Sequence, residues 1–388
     1  MARLWWAGLF VALSATCLPA QQSPVRNQTS QPKLIPRTRA ERDAIYKAEH
    51  HLVLSVQVST TSGLPIKGLK AEDFTLLDNG KPTATTQFEE ISGTAAEARA
   101  VFVFDEVNNT TRQLNRIRKQ MLDYLKSAPN PLPIPITIGT FTGVDVKMGA
   151  ESQDPRELLK AFSAATERLK AAGCIDAEDR DQERRLSFIP QAGVNPQVPV
   201  SVLDCENQRF MSSTTTMYLF AQQLGQSPGR VLLFWLGPGW PLLTDPNFRS
   251  DSSGLKSTFF SQVVGISQAL IRSRVTVYAL VSPENTTVPQ DPKTYARAFF
   301  AGARNANDGS AGYLGLHVLA HQTGGLILKK TGNLGEEITQ CLNDAKSYYR
   351  LDFDSSETKG FGEFHTLVVQ VDRPGVVVRT NRFYYPAY

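Results

Sequence analysis

Cysteine is scarce in this chain. Of its four cysteines, Cys17 falls in an apolar leader, which leaves Cys174, Cys205 and Cys341. No Cys-x-x-Cys pair and no Cys/His ligand spacing occurs, so structural zinc has no framework here. Charge of one sign is also missing. There are 41 basic residues against 37 acidic ones, and the small excess is spread out rather than gathered, so nucleic acid has no electrostatic footprint to bind. Beyond the leader no apolar run is long enough to cross a bilayer. A Gly-x-Ser-x-Gly elbow is absent, and with it the nucleophile turn of a serine hydrolase. A phosphate-cradling P-loop is absent too. His317 and His321 share one helical face at the zincin spacing. Val318 stands where that motif needs glutamate, so ordinary core or surface histidines are the plainer reading. With no nucleophile–base constellation visible, the chain reads as a binding module, not an enzyme.

What is present is ordered along the chain. Residues 1–20 have a short positive start, an apolar stretch from Leu4 to Leu18, and Pro19-Ala20 before polar Gln21. That is the pattern of a cleaved secretory signal, and it implies a secreted or periplasmic mature protein. Cys17 leaves a lipoprotein alternative open, although Ser14-Ala15-Thr16 is a poor lipidation context. Residues 21–47, rich in Gln, Ser, Pro and Arg, read as a flexible tether. Residues 48–92 alternate apolar and polar side chains and carry an Asn79-Gly80 hairpin signal. Residues 347–388 alternate likewise. Each flank alone has too few strands to close a core, so the two are expected to co-fold as one β-sandwich. Between them, residues 93–346 alternate buried-type strands with helical patterns, as a doubly wound, mostly parallel α/β sheet does.

In an oxidising compartment Cys174 and Cys205, which bracket one long polar insertion, are the expected disulfide, worth roughly 3–4 kcal/mol by chain entropy. Cys341 is then the odd thiol, placed on a helix and buried. The insertion from Gly173 to Met211 has two readings: an ordinary solvated excursion, or a partner-specific lid at the ligand edge of the sheet.

The most informative stretch runs from Ala100 to Thr110. Five apolar residues lead into Asp105-Glu106-Val107-Asn108-Asn109-Thr110. This reads as a buried parallel strand ending in an acidic, oxygen-rich loop, at the carboxyl edge where open α/β sheets bind ligands. The segment resembles the first strand and metal loop of a von Willebrand factor A (VWA) domain. The order of the Asp105 loop, Ser227-Pro228-Gly229-Arg230 before an apolar strand, and Gln322-Thr323-Gly324-Gly325 before a late strand is similar to the VWFA-related proteins of acidobacteria. The resemblance spans residues 48 to 388, and Leu69 to Gly80 and Arg379 to Tyr385 match in the flanks.

The resemblance implies a VWA-like fold and a metal-ion-dependent adhesion site. Such a site takes Asp-x-Ser-x-Ser from one loop, a threonine from a second and an aspartate from a third, because Mg²⁺ needs hard oxygen ligands. Asp105 matches the first acid, but Val107 and Asn109 stand where the serines belong. Asn109 offers an amide carbonyl, and Asn108 or Thr110 could substitute locally. Thr214 and Thr215, with Thr216, precede a helical pattern and stand for the second loop. The third loop, Leu236-Gly237-Pro238-Gly239, lacks its acid, and Asp245 lies further on. The degenerate site is expected to hold Mg²⁺ weakly at best. Equally open is that Asp105 caps backbone N–H groups, and for Thr214 to Thr216 helix capping is the plainer reading. On that reading Asp105→Ala costs about 1–2 kcal/mol.

These features predict an extracytoplasmic module that binds a protein at the carboxyl edge of its sheet, with Glu106, Asn108 and Trp240 as contacts. The alternative is a structural envelope scaffold with no metal-dependent binding. A metal-dependent hydrolase is the third class and has the least support.

Overall fold

The structure is a computed structural model. It describes residues 38–92, 98–169, 171, 174, 200–241, 253–280, 296–328, 333–356 and 358–388. The leader and residues 21–37 of the expected tether lie outside the described residues. Residues 38–47 correct the tether reading, because helix α1 spans Arg39–His50. Its start is a capping box: Thr38 N–H donates to the Glu41 carboxylate (2.7 Å) and Glu41 N–H donates to Thr38 Oγ1 (3.2 Å). The chain divides into two units at Ala44/Ile45, and the features below belong to Ile45–Tyr388.

Among its described residues that unit is a mixed α/β structure with three sheets. The flanks supply β1 (His51–Thr60), β2 (Phe74–Asp78), β3 (Lys81–Thr83) and β4 (Gln87–Ser92) from one end of the sequence. The other end supplies β11 (Ser347–Asp354), β12 (His365–Val371), β13 (Val376–Arg379) and β14 (Phe383–Tyr384). One antiparallel sheet has the order β13-β1-β11-β4 and the other β14-β12-β2-β3. Both antiparallel sheets therefore interleave strands from the two chain ends. The register pairs Leu54 with Leu351 and Leu76 with Val369. Leu52, Leu54 and Val56 of β1, Leu351 and Phe353 of β11, and Leu76, Leu367 and Tyr384 of the second sheet share one apolar core. The period-two alternation is what puts these residues on a common face.

A buried polar clasp also joins the flanks. Asp78 Oδ1 lies 2.8 Å from His365 Nδ1, and Asp78 Oδ2 accepts from the Tyr384 hydroxyl (2.8 Å) and from Ser356 (3.2 Å). Burial alone would lower the His365 pKa, but the hydrogen bond and charge of Asp78, with Glu363 beyond, outweigh it and hold it above its ordinary value. Burial alone would raise Asp78, but His365 and Tyr384 bring it down. Both directions describe an ion pair.

The central sheet has six strands in the order β10-β9-β8-β5-β6-β7. They are β5 (Ala98–Asp105), β6 (Ile136–Phe141), β7 (Val146–Met148), β8 (Arg230–Leu236), β9 (Val275–Leu280) and β10 (Ile327–Leu328). All pairings are parallel except β6 with β7. On β5, Val101 and Val103 enter one apolar cluster while Ala100, Phe102 and Phe104 enter another. Burial on both faces explains the continuous apolar run. Phe102, Phe234 and Tyr278 stack across three strands, with ring centroids 4.4 and 4.9 Å apart.

The helices occupy both faces. Helices α2 (Thr111–Ser127), α3 (Pro155–Ala165) and α7 (Leu334–Leu342) pack Leu114, Met121, Phe162 and Ile338 beside Phe102 and Phe104. Helices α4 (Val200–Leu224), α5 (Ser253–Arg272) and α6 (Leu316–Gln322) pack Met217, Phe220, Val264, Leu270 and Leu319 beside Val101 and Val103. Each large side chain so buried contributes about 1.5–3 kcal/mol. Among the described residues no helix is long and apolar enough to cross a membrane.

Asp344, just after α7, couples the parallel sheet to the flanks. Its backbone carbonyl accepts from Gln57 Nε2 (2.7 Å) and Arg230 Nη1 (2.9 Å). Its carboxylate accepts from the Tyr278 hydroxyl (2.7 Å) and Arg379 Nη2 (2.6 Å). Cys174 is joined to Cys205 near the start of α4, and Cys341 is free and buried on α7.

Candidate functional site

The parity of β5 decides what Asp105 meets. Side chains alternate faces along a strand, so Asp105 follows Val101 and Val103 onto the face that carries Trp235. The register sets Val103 opposite Trp235 on β8. Asp105 is therefore a diagonal neighbour of the indole, within reach across one strand spacing.

The carboxylate is fully buried and fully bonded. Oδ1 accepts from the backbone N–H groups of Val107 and Asn108, both at 2.9 Å. Oδ2 accepts from Asn108 Nδ2 (2.9 Å) and Trp235 Nε1 (2.7 Å). Asp105 has no exposed surface. Burial pushes its pKa up, while Asn108, Trp235 and the two backbone donors pull the other way without cancelling the rise. Since all four contacts are N–H donors, the pocket is shaped for the ionised form.

The neighbouring amides complete the knot. Asn108 Nδ2 also donates to Ser213 Oγ (2.9 Å), and its Oδ1 accepts from Arg209 Nε (3.3 Å). Asn109 Nδ2 donates to the backbone carbonyls of Asp105 (2.7 Å) and Leu236 (3.1 Å) and so ties the ends of β5 and β8 together. A Cβ at Gly237 would fall 2.7 Å from Asn109 Nδ2, so this close approach requires glycine. Thr110 begins α2 in a capping box with Gln113.

The other expected ligands are elsewhere. Thr214 and Thr215 do not precede a helix; they lie inside α4, and residues 200–211 of the expected insertion form its first half. Thr214 is buried, but its hydroxyl donates to the Phe210 carbonyl one turn back (2.9 Å). Thr215 is exposed. Asp245 and residues 175–199 lie outside the described residues. The contact reading of Trp240 is corrected too. It is buried, donates to the Leu314 carbonyl (3.1 Å) and sits edge-on to Trp235 at 5.6 Å. Asn108 is likewise buried within the knot. Glu106 is half-exposed; burial raises its pKa, Lys147 opposes that and Asp105 adds to it.

These residues do not fit a divalent cation. Mg²⁺ needs several oxygens free to coordinate. Here both Asp105 oxygens face hydrogens, one of them on a fully buried core tryptophan. His317 and His321 offer no second centre: the His321 ring stacks on Phe300 at 3.9 Å, and burial beside Arg382 lowers its pKa to about 4. No group of three or more His, Cys, Asp or Glu side chains able to hold a metal occurs among the described residues.

Sequence reasoning did not anticipate Trp235 as the fourth donor, nor Arg209 and Ser213 behind Asn108. The only sequence signal was a tryptophan one residue before the end of a buried strand, ahead of a loop that lacks its acid.

No protein-family model matches the chain, and no curated protein does. Among solved structures it is similar to an aerotolerance-related membrane protein from Bacteroides fragilis, at 12% identity over 63% of this chain and 98% of that one, with a TM-score of 0.29. It is also similar to the human COPII-coat protein Sec24c, at 10% identity over 77% of this chain and 46% of that one, with a TM-score of 0.32. The type V pili tip protein Mfa5 from Porphyromonas gingivalis follows at 9% identity, over 62% and 36% of the two chains, with a TM-score of 0.21. The chain thus spans less than half of the last two proteins, and likenesses this faint carry no argument.

Proposed function

We propose that the chain is an extracytoplasmic, metal-independent protein-interaction module with a VWA-like arrangement, whose adhesion loop has become a structural knot. The observation that carries this reading is the Asp105 carboxylate, consumed by four internal donors at the place where a VWA domain would hold its cation. The Cys174–Cys205 bond supports a compartment outside the cytoplasm, since such bonds persist in oxidising surroundings. The carboxyl edge still offers contact surface. Val144, in the loop after β6, is 86% exposed, and Met211 on α4 is 42% exposed. The two segments are joined where Ser212 Oγ donates to the Gly143 carbonyl. With half-exposed Glu106 they form a small apolar rim beside one acid, a surface suited to a protein partner.

The test has two arms. Calorimetry with Mg²⁺ and Mn²⁺ is expected to give no saturable heat, and partner capture from envelope extract is expected to be unchanged by chelator and lost in Val144→Asp/Met211→Asp. Capture that requires divalent metal and disappears in Asp105→Ala would restore a metal-bridged mechanism. Absence of any capture would favour the scaffold reading.

A further inference from the structure

The Ser227-Pro228-Gly229-Arg230 motif plays no part in the knot at the carboxyl edge. It lies at the opposite, amino edge of the parallel sheet, where β8 begins. There a cavity of about 160 Å³ opens between the parallel sheet and the β1–β11–β4 sheet. Its wall includes Arg230, Arg274, Arg350, Ser55, Tyr348 and Glu89.

Each arginine is held differently. Arg230 is buried, with its guanidinium 4.9 Å from the centroid of the Tyr348 ring. Its Nε and Nη2 donate to Thr276 Oγ1 (3.3 and 3.1 Å), and its Nη1 to the Asp344 carbonyl. All of these acceptors are neutral, so its charge is oriented but not cancelled, and they take up three of the five guanidinium N–H groups. Arg350 spends Nε and Nη2 on Asp352 (2.8 and 2.7 Å), which neutralises it and leaves Nη1 unspent.

Arg274 is the most telling. It stands at φ +52°, the second residue after the end of α5. Glycine or asparagine is the ordinary choice for this left-handed helix terminus, and any other side chain is strained there. Its main chain is fully engaged, with N–H to the Ile271 carbonyl and carbonyl to Val231 N–H (both 3.1 Å), so only its side chain accounts for an arginine in that position. Nearby Arg99 feels its positive charge. Strained residues of this kind gather where a ligand is held.

We propose that this cavity binds a small tetrahedral oxyanion of the phosphate or sulfate class. Arg274 and the remaining donors of Arg230 and Arg350 form its cradle, and Ser55 Oγ adds a neutral donor. Three arginines face one wall acid, Glu89, and Asp352 offsets one of them, so the lining keeps a net positive charge. Planar guanidinium forks match such oxyanions, and the volume admits one group rather than a polymer.

The test is calorimetric titration of the full chain with inorganic phosphate, sulfate and acetate at constant ionic strength. Saturable binding of phosphate or sulfate is expected. Arg274→Asn, which suits the left-handed backbone, should bind roughly ten- to a hundred-fold more weakly while melting no lower than wild type in phosphate-free buffer. Arg274→Gly serves the same purpose if the asparagine variant folds poorly. Glu89→Gln should tighten binding several-fold, which a purely structural cluster would not produce, and Lys126→Gln on the far surface should change nothing. No saturable heat in wild type, unchanged affinity in both Arg274 variants, or acetate bound more tightly than phosphate would each overturn the assignment.

Discussion

The two ends of the parallel sheet treat charge in opposite ways. At the carboxyl edge one buried anion, Asp105, meets four neutral N–H donors and no space is left. At the amino edge Arg230 is held by neutral oxygens and an aromatic face, and it lines an open cavity with Arg274 and Arg350. The first arrangement spends its charge inside the protein; the second keeps it available. An acid at a strand end therefore does not identify a ligand site. What decides is whether its lone pairs are already filled.

Removing the anion should give the largest effect. Asp105→Ala would strip the partners from two backbone N–H groups, the Asn108 amide and the Trp235 indole in a dry interior. We expect a loss of about 3–5 kcal/mol in chemical denaturation, the range for breaking a buried polar network. That exceeds the 1–2 kcal/mol suggested by a simple loop cap, and a value below that figure would mean the knot opens to water.

Separating one donor comes next. Trp235→Phe keeps most of the ring and removes only the Nε1 donor to Asp105, so about 1–3 kcal/mol should be lost. Asn109→Ala, which unties the ends of β5 and β8, should cost about 1–2 kcal/mol. If Asn109→Ala proves the worse of the two, strand tying and not charge satisfaction is the main task of the knot.

The flanks supply a pH-dependent contrast. His365 has its folded pKa raised above the unfolded value, so its contribution is complete below the unfolded pKa and is lost as pH rises through the folded one. Asp78 is lowered, so its contribution is present above the unfolded carboxylate pKa and lost as pH falls through the folded one. His321 is the reverse of His365: lowered to about 4, it favours the fold above its unfolded pKa near 6.5 and loses that contribution as pH falls towards 4. Melting curves at fixed ionic strength should therefore show an alkaline decline that flattens in His365→Gln and an acid decline that softens in His321→Gln. An unchanged alkaline limb in His365→Gln would remove the clasp from the account. The smallest effect belongs to Thr215→Ala, exposed and away from the knot, which should stay within about 0.5 kcal/mol of wild type.

How much of this was legible in the sequence follows from how local each signal is. The central strands were plain because Ala100–Phe104 and Val231–Leu236 are continuous apolar runs. The interleaving of the flanks was legible because alternating residues such as Leu52, Leu54 and Val56 must bury a face that neither flank can cover alone. Helix α1 was hidden by its polar composition, although Thr38 and Glu41 carry a capping-box spacing. Thr214 to Thr216 looked like a helix start because threonine caps well and propagates poorly, yet the packing of Phe210, Met217 and Phe220 on both sides of them carries α4 straight through. The filling of the Asp105 site was not legible at all. It depends on an indole 130 residues away and on an asparagine bonded to a serine 105 residues away. Only the parallel register brings these together.

The most direct measurement is of the Trp235 indole N–H by ¹H–¹⁵N NMR, with and without Mg²⁺ up to millimolar concentration. With Asp105 as its permanent acceptor, the signal should be strongly protected from exchange and should not move as metal is added. A saturable shift or a loss of protection on adding Mg²⁺, absent in Asp105→Asn, would show that the carboxylate leaves the indole for a cation and would contradict the account.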